Sequence, residues 1–95
     1  MNQEEFTRML ADEGYEQVVT IEREANGFLG LHSHPFEAKA LIIEGEIQIW
    51  VEEQEQKCAV GHIFHLNAEV EHAERYGPAG VKYLVGRKPL VSSEQ

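Results

Sequence analysis

Short β-type segments separated by turn signals run through most of this chain. Runs rich in valine, isoleucine and aromatic residues alternate with glycine, proline or asparagine, which is typical of strands and the turns between them. About seven or eight short strands at this spacing predict an all-β sandwich or barrel. The expected strands are residues 17–23, 28–34, 38–43, 46–51, 58–60, 63–66, 70–76 and 81–85.

Three segments between these runs predict turns or loops. Glu44-Gly45 predicts a hairpin turn, and residues 77–80, with the sequence Gly-Pro-Ala-Gly, predict a turn before the last strand. The acidic run at residues 52–56 predicts a solvated surface loop and not a cluster of metal ligands.

A short amphipathic helix is predicted at residues 3–12. Phe6, Met9 and Leu10 recur at i, i+3 and i+4 and form one apolar stripe, and Gly14 supplies a stop signal. We therefore expect a single helix packed against the strands.

Length and composition predict a single small domain over residues 1–95, with a barrel at about 16–88 and a frayed tail at 92–95. There is no apolar run of about 18 residues that would span a membrane. The acidic N-terminus lacks the apolar core of a secretory signal, and Cys58 has no second cysteine with which to form a disulfide. We expect a cytoplasmic protein.

The net charge is −9, from 17 acidic and 8 basic side chains. Because such a surface repels phosphate groups, we expect neither nucleic acid nor a membrane among the partners. Pairing of two sheet faces would bury additional apolar surface for so small a core, so we expect a homodimer.

Three histidines give the clearest indication of chemistry. His32 and His34 are two residues apart in a predicted strand and therefore lie on one face, and a closed sheet would bring His72 to meet them. Three neutral imidazoles predict a site for a divalent transition metal (iron, zinc, nickel or manganese) with open coordination positions.

Residues 30–45 resemble the first signature motif of the cupin superfamily, which has a glycine, a His-x-His pair, a glutamate and a second glycine. His32, His34 and Gly45 stand at the expected spacing, and the upstream glycine falls one place off, at Gly27. The resemblance implies a small cupin barrel of the jelly-roll type, built from two antiparallel sheets.

Residues 61–76 resemble the second cupin motif. Gly61 and His72 match it, while Asn67, Glu69 and Tyr76 replace the usual proline, glycine and asparagine. The resemblance implies that His72 joins the two histidines of the first motif as a metal ligand.

One ligand of the cupin motif is missing, because Ala38 occupies the position of the glutamate. Glu37 is its neighbour, but strand alternation points it to the other face unless a bulge at Pro35 shifts the register. We expect three histidines without this carboxylate, so that a bound metal keeps its full charge and holds anionic ligands tightly.

Glu74 is a candidate catalytic residue, because counting by twos from His72 places Glu74 and Tyr76 on the inward face. It could act as an acid or base, accept a hydrogen bond from a ligand histidine, or replace the absent glutamate. The alternatives are a salt bridge to Arg75 or Lys82, or a solvated barrel mouth.

Other residues have simpler interpretations. We expect His62 and His65 to be surface or structural residues, Cys58 to be a small buried hydrophobe, and Trp50 to belong to the core or to a dimer surface.

The resemblance implies a metal-binding cupin that presents its metal to a small polar or anionic ligand. Three-histidine cupins include iron dioxygenases that act on diketones, thiols and gentisate-like acids. If this protein is an enzyme, the resemblance implies a metal-dependent oxidoreductase of dioxygenase type, or an isomerase. The alternative is a non-catalytic binding or sensing protein, and the short loops, which offer little to close over a site, favour it. A metal-free structural role is the least favoured while all three histidines are present.

Overall fold

The computed structural model describes residues 1–89, so the tail predicted at 92–95 lies outside the described residues. Within residues 1–89 the chain forms one helix and six strands, and every strand pairing is antiparallel. The elements are α1 (Gln3–Asp12), β1 (Gln17–Arg23), β2 (Phe28–His32), β3 (Phe36–Val51), β4 (Gln54–Ala59), β5 (Ile63–Leu66) and β6 (His72–Pro89).

Helix α1 is confirmed with the predicted bounds, and a capping box begins it. The Asn2 side chain accepts a hydrogen bond from the Glu5 backbone N–H at 2.8 Å, and the Glu5 carboxylate accepts one from the Asn2 N–H at 3.1 Å. Phe6 and Leu10 are fully buried on the outer face of the strands. Leu10 sits directly over Gly86, where an added Cβ would lie 2.8 Å from both Leu10 methyl carbons.

The two longest strands, β3 and β6, pair with each other along most of their length and divide the fold into two halves. In the first half the order is β5-β3-β6-β1, and Ala38 of β3 lies opposite Arg87 of β6. In the second half the order is β4-β3-β6-β2, and Trp50 lies opposite Ala73. Each long strand therefore passes from one half of the barrel to the other.

The predicted hairpin at Glu44-Gly45 is wrong, because β3 continues through it. The register with β6 shifts on both sides of this point, and Gly45 has a φ of +73°. A side chain at Gly45 would overlap the carbonyl oxygen of Gly80, whose own φ is +77°. The glycines therefore mark a bend inside two continuous strands.

The same correction applies to the turn predicted at residues 77–80, which lies within β6. Fusing these segments explains why six strands replace the seven or eight expected from sequence. Strand β2 also ends at His32, two residues earlier than predicted, after a register irregularity between Leu29 and His32.

The acidic run at 52–56 is a loop only in part. Glu52 and Glu53 form a tight turn, with a φ of 57° at Glu52, and residues 54–56 already belong to β4. Strand β4 pairs only with β3 among the described strands, so its charged side chains face solvent along an edge, where they are tolerated.

The core lies between the two halves of the barrel. Cys58 is 1% exposed within it, as predicted, and burial raises the pKa of its thiol. Trp50 is half-buried on the outside, whereas its neighbours Ile47 and Ile49 point inward. The core side chains are Ala38, Ala40, Ile42, Ile47, Ile49, Cys58, Phe64, Tyr76, Val81, Tyr83 and Val85.

Among residues 1–89 no helix has the length and apolarity to cross a membrane.

Candidate metal centre

Four side chains converge inside the barrel, near the end of β2 and the start of β6. His32 ends β2 and lies opposite His72, the first residue of β6, while His34 follows in the connection to β3. Glu74 is the next inward residue of β6. One potential ligand atom from each of the four lies within 4.8 Å of the others.

Backbone carbonyls fix the orientation of two of the rings. The Nδ1 atom of His32 donates to the carbonyl oxygen of Gly30 at 2.7 Å, and Nδ1 of His72 donates to that of Val70 at 3.0 Å. In the neutral form of each ring, the lone pair is therefore on Nε2. Both Nε2 atoms face the same Glu74 oxygen, Oε2, at 3.3 Å from His32 and 3.1 Å from His72.

His34 is held by stacking and by its backbone. Its ring stacks on Phe36 with centroids 4.9 Å apart and planes 8° from parallel, and its carbonyl oxygen accepts a hydrogen bond from the Glu69 N–H at 2.8 Å. The ring is 4.9 Å from that of His32 and 5.3 Å from that of His72, measured between centroids. Burial, together with the two neighbouring imidazoles, lowers the pKa of His34 and keeps it neutral.

The Glu74 carboxylate is the only acidic group in this cluster of described residues, and it is 7% exposed. Its Oε1 atom accepts a hydrogen bond from the Tyr76 hydroxyl at 3.0 Å, which leaves Oε2 to the histidines. Burial and the adjacent carboxylate raise the pKa of Tyr76 to about 12, so the phenol stays a donor.

His72 and Glu74 shift each other's pKa in opposite directions. Burial would raise the pKa of Glu74, but hydrogen bonds from His72 and Tyr76 outweigh burial and lower it. Burial would likewise lower the pKa of His72, but hydrogen bonds to Glu74 and to the Val70 carbonyl raise it. Both shifts favour a positive charge at Nε2 of His72 beside the carboxylate, which either a proton or a metal ion would supply.

The cluster has the features of a cation site. The Nε2 atom of His32 is buried and has no hydrogen-bond partner within the described part of the chain, although it faces the Glu74 carboxylate. When both imidazoles are neutral, their Nε2 lone pairs and the carboxylate oxygen repel one another unless a cation lies among them. Imidazole nitrogens with one carboxylate suit iron, zinc, nickel or manganese. Bound here, such a metal would supply Lewis acidity and positions for a ligand.

The two residues at the missing glutamate position lie on opposite faces. Ala38 is buried and lines the cavity that contains the cluster, whereas Glu37 points outward. The Glu37 carboxylate accepts a hydrogen bond from the Tyr15 hydroxyl at 3.0 Å and contacts Nε2 of His65. The register shift considered at Pro35 therefore does not bring Glu37 to His32, His34 or His72.

The remaining sequence candidates lie apart from the cluster. His62 accepts a hydrogen bond from the Ala59 N–H at a surface turn, and His65 contacts Glu37 on the outer face. Neither cation proposed as a partner of Glu74 is its partner, since Lys82 pairs with Glu44 and the Arg75 guanidinium lies over the Phe28 ring.

Sequence reasoning missed two cavity residues, Arg23 and Arg87. Continuing the inward alternation of β1 from Ile21 by two residues would have found Arg23, and continuing that of β6 from Val85 would have found Arg87. The rest of the wall is largely apolar. The cavity is lined by the four cluster residues, the two arginines and Ile21, Leu29, Phe36, Ala38, Phe64, Leu66, Tyr83 and Val85.

No protein-family model matches the chain, and no curated protein matches it in sequence. Solved structures match it in fold. An RmlC-like cupin from Shewanella frigidimarina gives a TM-score of 0.67 at 20% identity, over 78% of this chain and 66% of that one. The DMSP lyase DddQ from Ruegeria pomeroyi gives 0.70 at 19% identity, over 81% and 40%.

A third match is an oxalate decarboxylase from Bacillus subtilis, in a structure concerned with its Mn(II) centres. Its TM-score is 0.68 at 17% identity, over 80% of this chain and 22% of that one. The chain spans less than two thirds of each of these three proteins. The shared architecture confirms the predicted fold: this is an all-β protein with the cupin fold and a short N-terminal helix.

Proposed function

We propose that this protein binds a divalent transition metal through His32, His34, His72 and Glu74 and presents it to a small polar or anionic ligand. One observation carries the proposal. The Nε2 atoms of His32 and His72, each oriented by a backbone carbonyl, point at the same buried carboxylate oxygen. When the two imidazoles are neutral, their lone pairs face a negative charge, and a metal ion would satisfy all of them at once.

In this proposal Glu74 takes the place of the glutamate that is absent at Ala38. The carboxylate comes from β6 and not from β3, so the side of the cluster next to Ala38 stays open for a ligand. The Tyr76 hydroxyl holds the other oxygen of Glu74 and limits its basicity. Glu74 would then act mainly as a metal ligand and only to a lesser extent as a proton acceptor.

Two activities fit this site. The first is a metal-dependent enzyme, of dioxygenase or isomerase type, and it is supported by the fold's occurrence in a lyase and in a decarboxylase with Mn(II) centres. The second is non-catalytic ligand binding or sensing. It is supported by the short connections at residues 33–35 and 67–71 next to the cluster, which offer no long segment to close over it.

Metal analysis of protein purified without an affinity tag tests the proposal. We expect a near-stoichiometric transition metal in the wild type and loss of most of it in His34→Ala, which removes one protein ligand. His62→Ala is the matched control, because it removes a histidine at a surface turn. Equal metal contents in all three proteins would refute the site. Oxygen-uptake and isomerisation assays with a panel of small acids then separate enzyme from binding protein.

We also infer that two copies associate through β2. This strand pairs only with β6 among the described strands, and it exposes Phe28 (59%) and Leu31 (72%). The same strand of a second copy would pair with its free edge across a twofold axis and cover both side chains. Light scattering should show a wild-type dimer and a Leu31→Lys monomer, with Val60→Lys, also at an exposed apolar position, as control. A monomeric wild type would contradict this inference.

A further inference from the structure

The cavity at the cluster has a charge opposite to that of the whole protein. The chain has 17 acidic and 8 basic residues, but the cavity wall contains two of the basic residues and one of the acidic ones. Arg23 and Arg87 therefore outnumber Glu74 even before a metal adds positive charge. In a protein with a net charge of −9, this favours an anionic ligand inside the barrel.

Arg87 lies on the same side of the cavity as Ala38. It lies directly opposite Ala38 in the strand register, so it borders the space left by the missing glutamate. Its guanidinium carbon sits 5.0 Å from the centre of the Phe36 ring, and that ring stacks on His34 of the cluster. This cation–π contact restrains the guanidinium beside the cluster, where its N–H donors can meet a ligand.

Arg87 has no acidic partner within the described part of the chain. None of the ion pairs among residues 1–89 involves it. Arg23 differs, because it lies beside the Tyr76 phenol, where it opposes the rise of the Tyr76 pKa, and it is exposed. The planar donors of Arg87 match the two oxygens of a carboxylate in a bidentate pair.

We propose that the ligand is a short-chain carboxylic acid whose carboxylate pairs with Arg87. A second group on the same molecule, a hydroxyl or oxo oxygen or a thiol, is directed to the four-residue cluster as a metal ligand. This inference rests on the proposed metal function for that second contact, but not for the Arg87 contact. The cavity volume of about 70 Å³ limits the acid to a few heavy atoms, and Phe36, Leu66 and Val85 supply an apolar surface for its carbon chain.

The test compares glycolate and lactate with their uncharged amides, which have nearly the same shape. Binding is measured by absorption titration of the cobalt-loaded protein and by NMR titration of the metal-free protein. We expect the acids to bind at least about tenfold more tightly than the amides, since one charge-assisted bidentate pair distinguishes them. Arg87→Gln should lose this preference in the metal-free protein and lose part of it in the cobalt-loaded protein, where the metal itself attracts anions.

Two further variants separate the role of Arg87 from general effects. Arg75→Gln makes the same change in net charge on the outside of the barrel and should keep the preference for acids. Arg87→Lys keeps the charge but loses the planar donor pair, so it should retain only part of the preference. Thermal unfolding of each variant checks that it is folded. If Arg87→Gln does not fold, Arg87→Lys still provides the test.

The outcomes distinguish this inference from the proposed function. If cobalt does not bind but metal-free protein prefers acids through Arg87, the metal function fails and the carboxylate site stands. If cobalt binds and acids are preferred equally in wild type and Arg87→Gln, the metal site stands and Arg87 is not the carboxylate partner. Equal affinity for acids and amides, or no binding of either, would also overturn the inference.

Discussion

Gly45→Ala tests the bend that sets the two halves of the barrel against each other. The second half carries His72 and Glu74, and the first half carries Ala38 and Arg87, so the bend fixes how the cluster faces the rest of its cavity. At this point β3 and β6 touch backbone to backbone. A methyl group at Gly45 would lie 2.8 Å from the Gly80 carbonyl carbon and would overlap its oxygen.

The expected loss of stability has three contributions. A φ of +73° costs an alanine about 1–2 kcal/mol. Separating the two strands enough to relieve the overlap costs about 1–3 kcal/mol, as in other overpacked sites. Alanine restricts the unfolded chain and returns about 0.4–1 kcal/mol. The net loss is about 1–5 kcal/mol with a midpoint of about 3 kcal/mol, and that midpoint lowers the Tm of a domain of this size by about 12–24 °C.

Thermal unfolding monitored by circular dichroism measures this loss, with Gly61→Ala as the matched control. Gly61 also has a positive φ, +91°, but an added Cβ there meets no atom within 4 Å. It should therefore cost only the backbone strain, and its Tm should fall by much less. Equal losses in the two variants would refute the claim that strand contact at Gly45 shapes the barrel.

Further predictions concern the site and the surface. Ala38→Glu adds a carboxylate inside the cavity, so cobalt-loaded protein should bind azide more weakly by absorption titration, and unchanged affinity would contradict this placement. The Glu37→Ala variant should bind cobalt as the wild type does, since the Glu37 carboxylate points outward. Loss of cobalt from this variant would mean that the Glu37 carboxylate reaches the metal. Burial lowers the pKa of His72, but hydrogen bonding to Glu74 outweighs burial and raises it. An imidazole must lose its proton to bind a metal. Cobalt should therefore be released as the pH falls through the raised pKa of His72. Cobalt kept unchanged at pH ~4 would indicate other ligands. The charge of −9 predicts no mobility shift with nucleic acid at low salt, where a clear shift would reveal a basic patch.

The fold was predictable from sequence where the pattern is local. Strands β1 and β5 and helix α1 have the predicted bounds because alternation and helical periodicity depend on near neighbours. The glycines at 45 and 80 were misinterpreted because a turn and a bend require the same backbone freedom. Only the partner strand distinguishes them, and pairing of β3 with β6 is a long-range property.

The candidate site was partly predictable for a related reason. Counting by twos along a strand placed Glu74 and Ala38 on the inward face, and both are there. It could not show that the Glu74 carboxylate reaches two histidines, because that depends on how β2 and β6 pair and on the Tyr76 contact. Arg87 escaped notice because the predicted last strand ended at residue 85, before the alternation reached it.

The central claim is that His32, His34, His72 and Glu74 bind one metal ion. An anomalous difference map from crystals grown with zinc tests it most directly, because it locates the ion independently of any activity. We predict a single strong peak about 2.0–2.2 Å from one atom of each of the four side chains. A peak at His62 or His65 on the surface, or none within the cluster, would contradict the account.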